Sequence, residues 1–330
     1  MELSVPTNWD ERLLDLIFAG DARGQITEIY GKLPLDETGG GRPAFPLAFV
    51  SRGAAVRHIR RIRGKGLRFN YLLNALCMDN REFTRRGQKR LACLLDWVVS
   101  SGANQVTVAN PYLFMWIRKR YPDLPVSVSA IAGADTVSRA LFWESLGACS
   151  ITFPSAAVNR DLELIRQMRR SLKCRIQLIA TNACSLNCPL FDFHYLANAH
   201  ASQSWHRDGG FFLDHHMIRC RLERLKDPVR FIRSDWIRPE DAGIYEALGV
   251  DSLKLTDRRL STAVLGKIIG VYLSRSYDGD LLELFSTFCG VTSLKHRGIV
   301  RKALALLPHV SGVLSARRFA DCFEKLQVRV

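Results

Sequence analysis

Residues 174–189 read CRIQLIATNACSLNCP. The first part, 174–180, is a short apolar run with the length and composition of a buried strand. It breaks into a polar turn, 181–189, in which Cys184 and Cys188 stand four residues apart ahead of Pro189. The segment beyond, as far as Cys220, commits neither to helix nor to strand. Yet three of the nine cysteines and five of the eight histidines fall between Cys184 and Cys220. A strand that opens directly into reactive side chains is the arrangement found on the working face of a barrel.

The rest of the chain supplies the other staves. Strands are predicted at 3–6, 26–30, 67–73, 105–109, 126–131, 149–153, 174–180, 229–232 and 252–256. Helices are predicted at 9–19, 51–65, 84–100, from Pro111, at 135–146, after Asn159, and at 239–248 and 261–274. In 84–100, Leu91, Leu94, Leu95 and Val98 share one face at helical spacing. Asp135 and Asn159 read as N-caps, Gly147 as a stop, and Ile165, Met168 and Leu172 as a buried stripe. Repeated βα units imply a parallel sheet, and about eight of them fit a closed barrel better than an open one. No GxGxxG follows the first strand, which argues against a dinucleotide-binding fold. The reading is α/β: a (β/α)8 TIM-type barrel over 1–278 with a cysteine- and histidine-rich insertion at 183–228. An irregular C-terminal region, 279–330, reads as an appendage.

The chain of 330 residues carries 47 Lys and Arg against 32 Asp and Glu, a net charge of +15. The excess gathers at 57–68, 166–175 and 219–233. Solvated helix faces explain such runs, and so does a polyanionic partner such as RNA. No RNA-binding motif accompanies them. No apolar run approaches the length of a membrane span, and 263–273 is interrupted by Lys267. With no basic-plus-apolar leader at the start, a cytoplasmic protein is expected, and nine cysteines then point to buried thiols, catalysis or metal rather than disulfides.

The barrel rule sorts those cysteines. Cys77, Cys184 and Cys188 follow strands, on the active face, and Cys220 belongs to the insertion anchored there. Cys149 and Cys174 begin strands and Cys93 falls on the apolar side of a helix, so these three read as core thiols; Cys289 and Cys322 lie beyond the barrel. Four thiolates suit a 4Fe-4S cluster. Zinc competes through His194, His200, His206, His215 and His216, and the absence of any metal is a third alternative.

Two blocks give the sequence a likeness to a known family. One is NACSLNCP, 182–189. The other is FIRSDWIRPEDAGIYEALGVDSLKLTDR, 231–258, in which Gly249, Val250, Asp251, Ser252, Lys254 and Arg258 match the family's pattern in place. The sequence resembles the collagenase-like peptidases, a family that includes ubiquinone-hydroxylation proteins and enzymes hydroxylating RNA bases. Thr256 and Asp257 stand where many members have Glu and Gly, so no role of that glutamate carries over. The resemblance, over residues 1–275, implies a barrel, a four-cysteine 4Fe-4S cluster with an early ligand that suits Cys77, and oxygen-independent hydroxylation with prephenate as an oxygen source in several branches. The peptidase label rests on no visible machinery here, since neither HExxH nor GxSxG occurs.

Further candidates complete the expected site. Gly39, Gly40 and Gly41 can turn backbone N–H groups on an anion, and Arg42 can grip a carboxylate bidentately. Asn74, Asn110 and Asn182 end strands on the active face; Lys254 and Arg258 lie on and just after the last strand. His194, His200 and Asp235 are the candidate proton-transfer groups. The leading expectation is an iron–sulfur-dependent, oxygen-independent hydroxylase-like enzyme acting on a small carboxylate-bearing metabolite or an RNA base. A zinc or other metal-dependent peptidase is one alternative. A non-catalytic, cluster-binding partner of a paralogous protein is the other.

Overall fold

The strands alternate in a way that fixes their two faces. Leu3 and Val5, Ile29, Phe69 and Tyr71, Val106 and Val108, and Ile151 are buried under the helices, while Ser4, Glu28, Asn70, Gln105, Thr107, Ser127 and Thr152 are also buried. Side chains two apart in a strand share a face, so the apolar set faces outward to the helices and the polar set faces inward. In the computed structural model, which describes residues 1–44, 47–206, 219, 220, 223, 233–279 and 281–284, these strands close into an eight-stranded parallel barrel.

The strands are β1 (Glu2–Pro6), β2 (Ile26–Gly31), β3 (Arg68–Leu73), β4 (Gln105–Val108), β5 (Val126–Val128), β6 (Ser150–Thr152), β7 (Arg175–Ile179) and β8 (Ser252–Lys254). Closure sits at Lys254, which is level with Ser4 on one side and Ile179 on the other. The helices packed outside are α1 (Glu11–Gly20), α2 (Arg52–Gly64), α3 (Arg85–Ser100), α4 (Pro111–Arg120), α5 (Val137–Ser145), the short α6 (Ser155–Val158), and α7 (Leu162–Ser171). Then come α8 (Phe191–His200), α9 (Ala242–Ala247) and α10 (Thr262–Ser274). Most start where the sequence offers a cap. Asp10, Ser51, Thr84, Asn110 and Ser261 each accept a hydrogen bond from a backbone N–H of the first turn.

Several local expectations are corrected. The fifth strand ends at Val128, because Ser129 caps a 3-10 turn over Ala130–Ala132. Thr136, not Asp135, caps α5, and Asp135 instead pairs with Arg139. Asp161, not Asn159, caps α7. Asn159 is fully buried and its amide donates to the carbonyls of Ile179 and Asp235. Cys93 is exposed rather than a core thiol. The last strand stops at Lys254; beyond it the Thr256 N–H is held by the Thr181 hydroxyl at 2.7 Å. The strand expected at 229–232 lies outside the described residues, as do Cys289 and Cys322, and the eight described strands close without it.

The basic run 57–68 is largely the solvent side of α2, where Arg57, Arg60 and Arg61 are exposed and Arg61 pairs with Glu11 and Asp15. Among the described residues no helix is long and apolar enough to cross a membrane.

The loop after β2 carries a buried ion pair. Lys32 Nζ lies 2.7 Å from Asp36 Oδ1, each side chain 1% exposed. Asp36 also accepts from the N–H groups of Thr38 and Gly39 and from the Tyr71 hydroxyl. The partners are therefore unequal. Asp36→Ala strands a buried ammonium and is expected to cost about 3–5 kcal/mol. Lys32→Met leaves Asp36 with four donors, the Thr38 hydroxyl included, and should cost clearly less. Urea unfolding midpoints of the two variants check this, and equal losses would refute it.

Candidate functional site

At the C-terminal end of the strands lies a cavity of about 70 Å³. A water needs on the order of 10–15 Å³ by this measure, so the space suits roughly five waters or one small organic acid. Its walls come from many parts of the barrel: Tyr30 of β2, Leu72 and Asn74 at the end of β3, Ser129 after β5, Thr152 of β6, Ile179 and Asn182 around the end of β7, and Lys254 to Arg258 without Leu255. Gly41, Arg42 and Tyr195 close it from above.

Charge dominates this small space. Three cations line it, Arg42, Lys254 and Arg258, against one carboxylate, Asp257. Asp257 is already shared: Arg42 Nε donates to its Oδ2 at 2.8 Å and Arg259 Nε at 2.7 Å. Burial alone would lift the Asp257 carboxyl, but Arg42 and Arg259 outweigh it and hold the group well below the usual carboxylate range. Burial likewise works against the charge on Arg42, and Asp257 more than restores it. Arg258 is 7% exposed and donates to the Lys32 carbonyl at 3.1 Å; burial draws its pKa down. Lys254, also 7% exposed, places Nζ 4.1 Å from the centroid of the Tyr30 ring. Burial lowers its pKa to about 8 despite the opposing pull of Glu28. Buried charges of one sign ordinarily find counter-charges, and a lining this cationic is complementary to an anion.

The roof is built from α8 and the loop after β2. Gly39 has φ +73, and a Cβ there would collide with the Ala199 carbonyl oxygen. At Gly40 a Cβ would sit 2.7 Å from Asn74 Oδ1. The Asn198 amide donates to the Gly41 carbonyl, and Ser202 Oγ accepts from the Gly40 N–H. Gly39 therefore serves close packing on α8, and Gly40 close packing on Asn74 and Lys32. Their expected role as an N–H cradle does not hold for Gly39 and Gly40, whose N–H groups donate to Asp36 and Ser202. Tyr195 descends from α8 into the lining; burial pushes its phenol up to about 12, with Cys184 adding to the rise and Arg42 opposing it.

Arg42, Gly41, Asn74, Asn182, Lys254 and Arg258 thus meet in one cavity, as their positions suggested. Asn110 is outside the lining. It caps α4 and its amide donates to Glu82. Asp235 is buried and clamps the cysteine segment: its Oδ1 accepts from the Cys184 N–H at 2.7 Å and its own N–H donates to the Cys184 carbonyl. His194 stacks on Tyr195 with rings 10° from parallel and is not among the residues that line the cavity. His200 lies elsewhere, with Cys77. One ligand atom from each of Cys77, Asp79 and His200 falls within 4.8 Å of the others, and His206 Nε2 is 2.9 Å from His200 Nδ1.

Cys77, Cys184, Cys188 and Cys220 are each half-buried. Cys77 Sγ accepts the Asp79 N–H at 3.4 Å, a bond of the type that stabilises a thiolate ligand. Cys220 is helical and its immediate neighbours lie largely outside the described residues. Soft thiols are the ligands that an iron–sulfur cluster takes, but the group whose ligand atoms converge among the described residues is Cys77, Asp79 and His200, without Cys184, Cys188 or Cys220. The Cys77, Asp79 and His200 group fits a single divalent ion.

Sequence reasoning missed Tyr30, Ser129, Thr152, Tyr195 and Asp257. Alternation would have found Tyr30 and Thr152, since each is two residues from an inward polar position of its own strand. Asp257, between Thr256 and Arg258, carried the signal of a carboxylate beside a cation on the active face.

No family model matches the chain. The uncharacterized protease MJ1657 of Methanocaldococcus jannaschii is 29% identical over 220 residues, 66% of this chain. The match spans 64% of that protein's length, just under two-thirds. Among solved structures, the U32 peptidase Mk0906 superposes with a TM-score of 0.56 at 20% identity, covering 78% of this chain and 93% of the other. At that identity the likeness is one of fold.

The Asp257 clamp predicts a pH signature. Its carboxyl is depressed on folding, so its stabilisation is complete at neutral pH and is lost as pH falls below about 4, where the unfolded carboxylate takes up a proton. Asp257→Asn is expected to lower stability by about 3–5 kcal/mol at pH 7, because two arginines lose their buried anion. The gap between wild type and variant should narrow at pH 3. Urea titrations at both pH values measure it; a gap that does not change with pH would refute the clamp.

Proposed function

We propose that this chain, which resembles the collagenase-like (U32) peptidases in sequence and fold, binds a small carboxylate-bearing metabolite at the barrel mouth. There it acts as an iron–sulfur-dependent, oxygen-independent hydroxylase-like enzyme. The observation that carries the reading is the cavity in which Arg42, Lys254 and Arg258 face a single, already shared carboxylate. A substrate carboxylate supplies the missing negative charge, and Arg42, its fork held in place by Asp257, is the principal grip. Asn74 and Asn182 orient the remainder of the ligand, and Tyr195 shuts it away from water. Cys77, Cys184, Cys188 and Cys220 are the residues that would hold the cluster. When bound, the cluster supplies one-electron chemistry. The Asp235 clamp on Cys184 fixes that ligand's backbone beside the cavity.

The convergence of Cys77, Asp79 and His200 favours a second reading, a mononuclear metal site in a metal-dependent peptidase. Metal analysis separates the two. Protein purified without oxygen is assayed for iron, sulfide and zinc, with an absorption spectrum, as wild type and as Cys77→Ala, Cys184→Ala, Cys188→Ala, Cys220→Ala, His200→Ala and Cys174→Ala. The hydroxylase reading expects about four irons and four sulfides per chain, lost in the first four variants and retained in Cys174→Ala. One zinc without iron, lost in Cys77→Ala and His200→Ala but indifferent to Cys184→Ala, would replace it with the peptidase reading.

A further inference from the structure

Lys254 is placed unlike the two arginines beside it. The ion pairs of this region join Lys32 to Asp36, and Arg42 and Arg259 to Asp257. Among the described residues none includes Lys254. Glu28, in the layer beneath, is committed to other partners: its oxygens accept from the Ser4 hydroxyl and from the amides of Asn70 and Gln105. The Lys254 nitrogen instead rests over the Tyr30 ring, at the wall of the cavity. A lysine in such a place is a poor choice for a plain anion grip, which a guanidinium performs better, and a good choice for a nucleophile.

A second side chain in the same wall is incomplete. Asn74 is 8% exposed, its Nδ2 donates to Ser129 Oγ at 3.2 Å, and its Oδ1 is buried without a hydrogen-bond donor. The Asn74 side chain lines the cavity, with that oxygen packed against Gly40, whose Cβ would sit 2.7 Å from it.

We propose that Lys254 is an imine-forming nucleophile for a 2-oxo acid whose carboxylate is held by Arg42 and Arg258. The proposal rests on the carboxylate reading of the cavity and adds to it the carbonyl and the covalent step. The neutral amine attacks the carbonyl carbon; a C–N bond forms, the C=O π bond breaks, and one proton passes from the nitrogen to the oxygen to give a carbinolamine. Loss of water, with one proton leaving nitrogen, gives the imine, and no electrons are gained or lost. The lowered pKa of the lysine, about 8, leaves a usable fraction of free amine near neutrality. The cavity, at about 70 Å³, admits the oxo-acid end of a substrate and little more.

The test is reductive trapping. The full chain, purified without oxygen, is incubated with pyruvate and cyanoborohydride, which delivers hydride to the imine carbon and fixes it as a secondary amine. Peptide mapping locates the adduct. One adduct at Lys254 is expected, falling to background in Lys254→Met and Lys254→Arg, with circular dichroism and a thermal melt showing that both variants fold. Arg42→Gln should weaken labelling, and acetone, which offers the carbonyl without the carboxylate, should label Lys254 poorly. Equal labelling by acetone would keep the nucleophile and overturn the carboxylate reading. Pyruvate binding by calorimetry without an adduct at Lys254 would overturn the imine and keep the carboxylate reading. Neither binding nor adduct would overturn both.

Discussion

The Glu28 carboxylate sits inside the barrel, with one oxygen on the Ser4 hydroxyl and the other shared by the Asn70 and Gln105 amides. From it a belt of hydrogen bonds runs on through Ser127 and Ser150, and a second set links Thr152, Gln177 and Ser252. Every strand contributes a polar side chain to this interior. A barrel of this kind is more often filled by branched apolar side chains. A buried polar network stabilises only when its members are satisfied, because each unpaired group carries its full desolvation cost. The belt therefore demands a fixed register all the way round. It also bears on the electrostatics above it, since Glu28 opposes, without overcoming, the effect of burial on the Lys254 ammonium.

Above the belt, the site is assembled from pieces that cannot move independently. The loop after β2 is pinned below by the Lys32 and Asp36 pair and above by α8 and the turn that follows it, through Gly41 to Asn198 and Gly40 to Ser202. Arg42 comes from this loop, Asp257 from beyond β8, and Tyr195 from α8. An opening of α8 would expose the cavity and at the same time loosen the loop that carries Arg42. Access and ligand grip are coupled by packing, so a ligand that bridges Arg42 and Arg258 would favour the closed roof by mass action.

The barrel was legible because its evidence is repetitive. Strand and helix periods recur from residue 3 to residue 274, and a single misplaced end does not disturb the count. The errors fell where one side chain decides. Thr136 and Asp135 are both good caps, and only the backbone geometry selects Thr136. Asn159 looked like a cap because it precedes a helix, but its amide bridges β7 and the Asp235 segment, a contact between parts far apart in sequence. The three glycines suggested an anion cradle, whereas the N–H groups of Gly39 and Gly40 are bonded to Asp36 and Ser202, and Gly39 and Gly41 need their small size for the approach of α8, a partner more than a hundred residues away. Arg42, Asn74, Asn182, Lys254 and Arg258 could be grouped from the strand-end rule alone. Asp257 could not be weighted without seeing that it meets Arg42 and Arg259.

The position of the cysteine segment follows from the same geometry. Cys184 is held by both hydrogen bonds to Asp235, whose carbonyl is in turn held by Asn159, whose amide also grips the end of β7. That chain of contacts makes the segment an extension of the sheet rather than a free loop. Cys184 is thereby set close enough to Tyr195 to raise its phenol pKa, and Tyr195 lines the cationic cavity. Beyond the effect of burial, the Tyr195 phenol is acted on by both the Cys184 thiol, which raises its pKa, and Arg42, which lowers it, so the cysteine segment and the cationic cavity meet at one side chain.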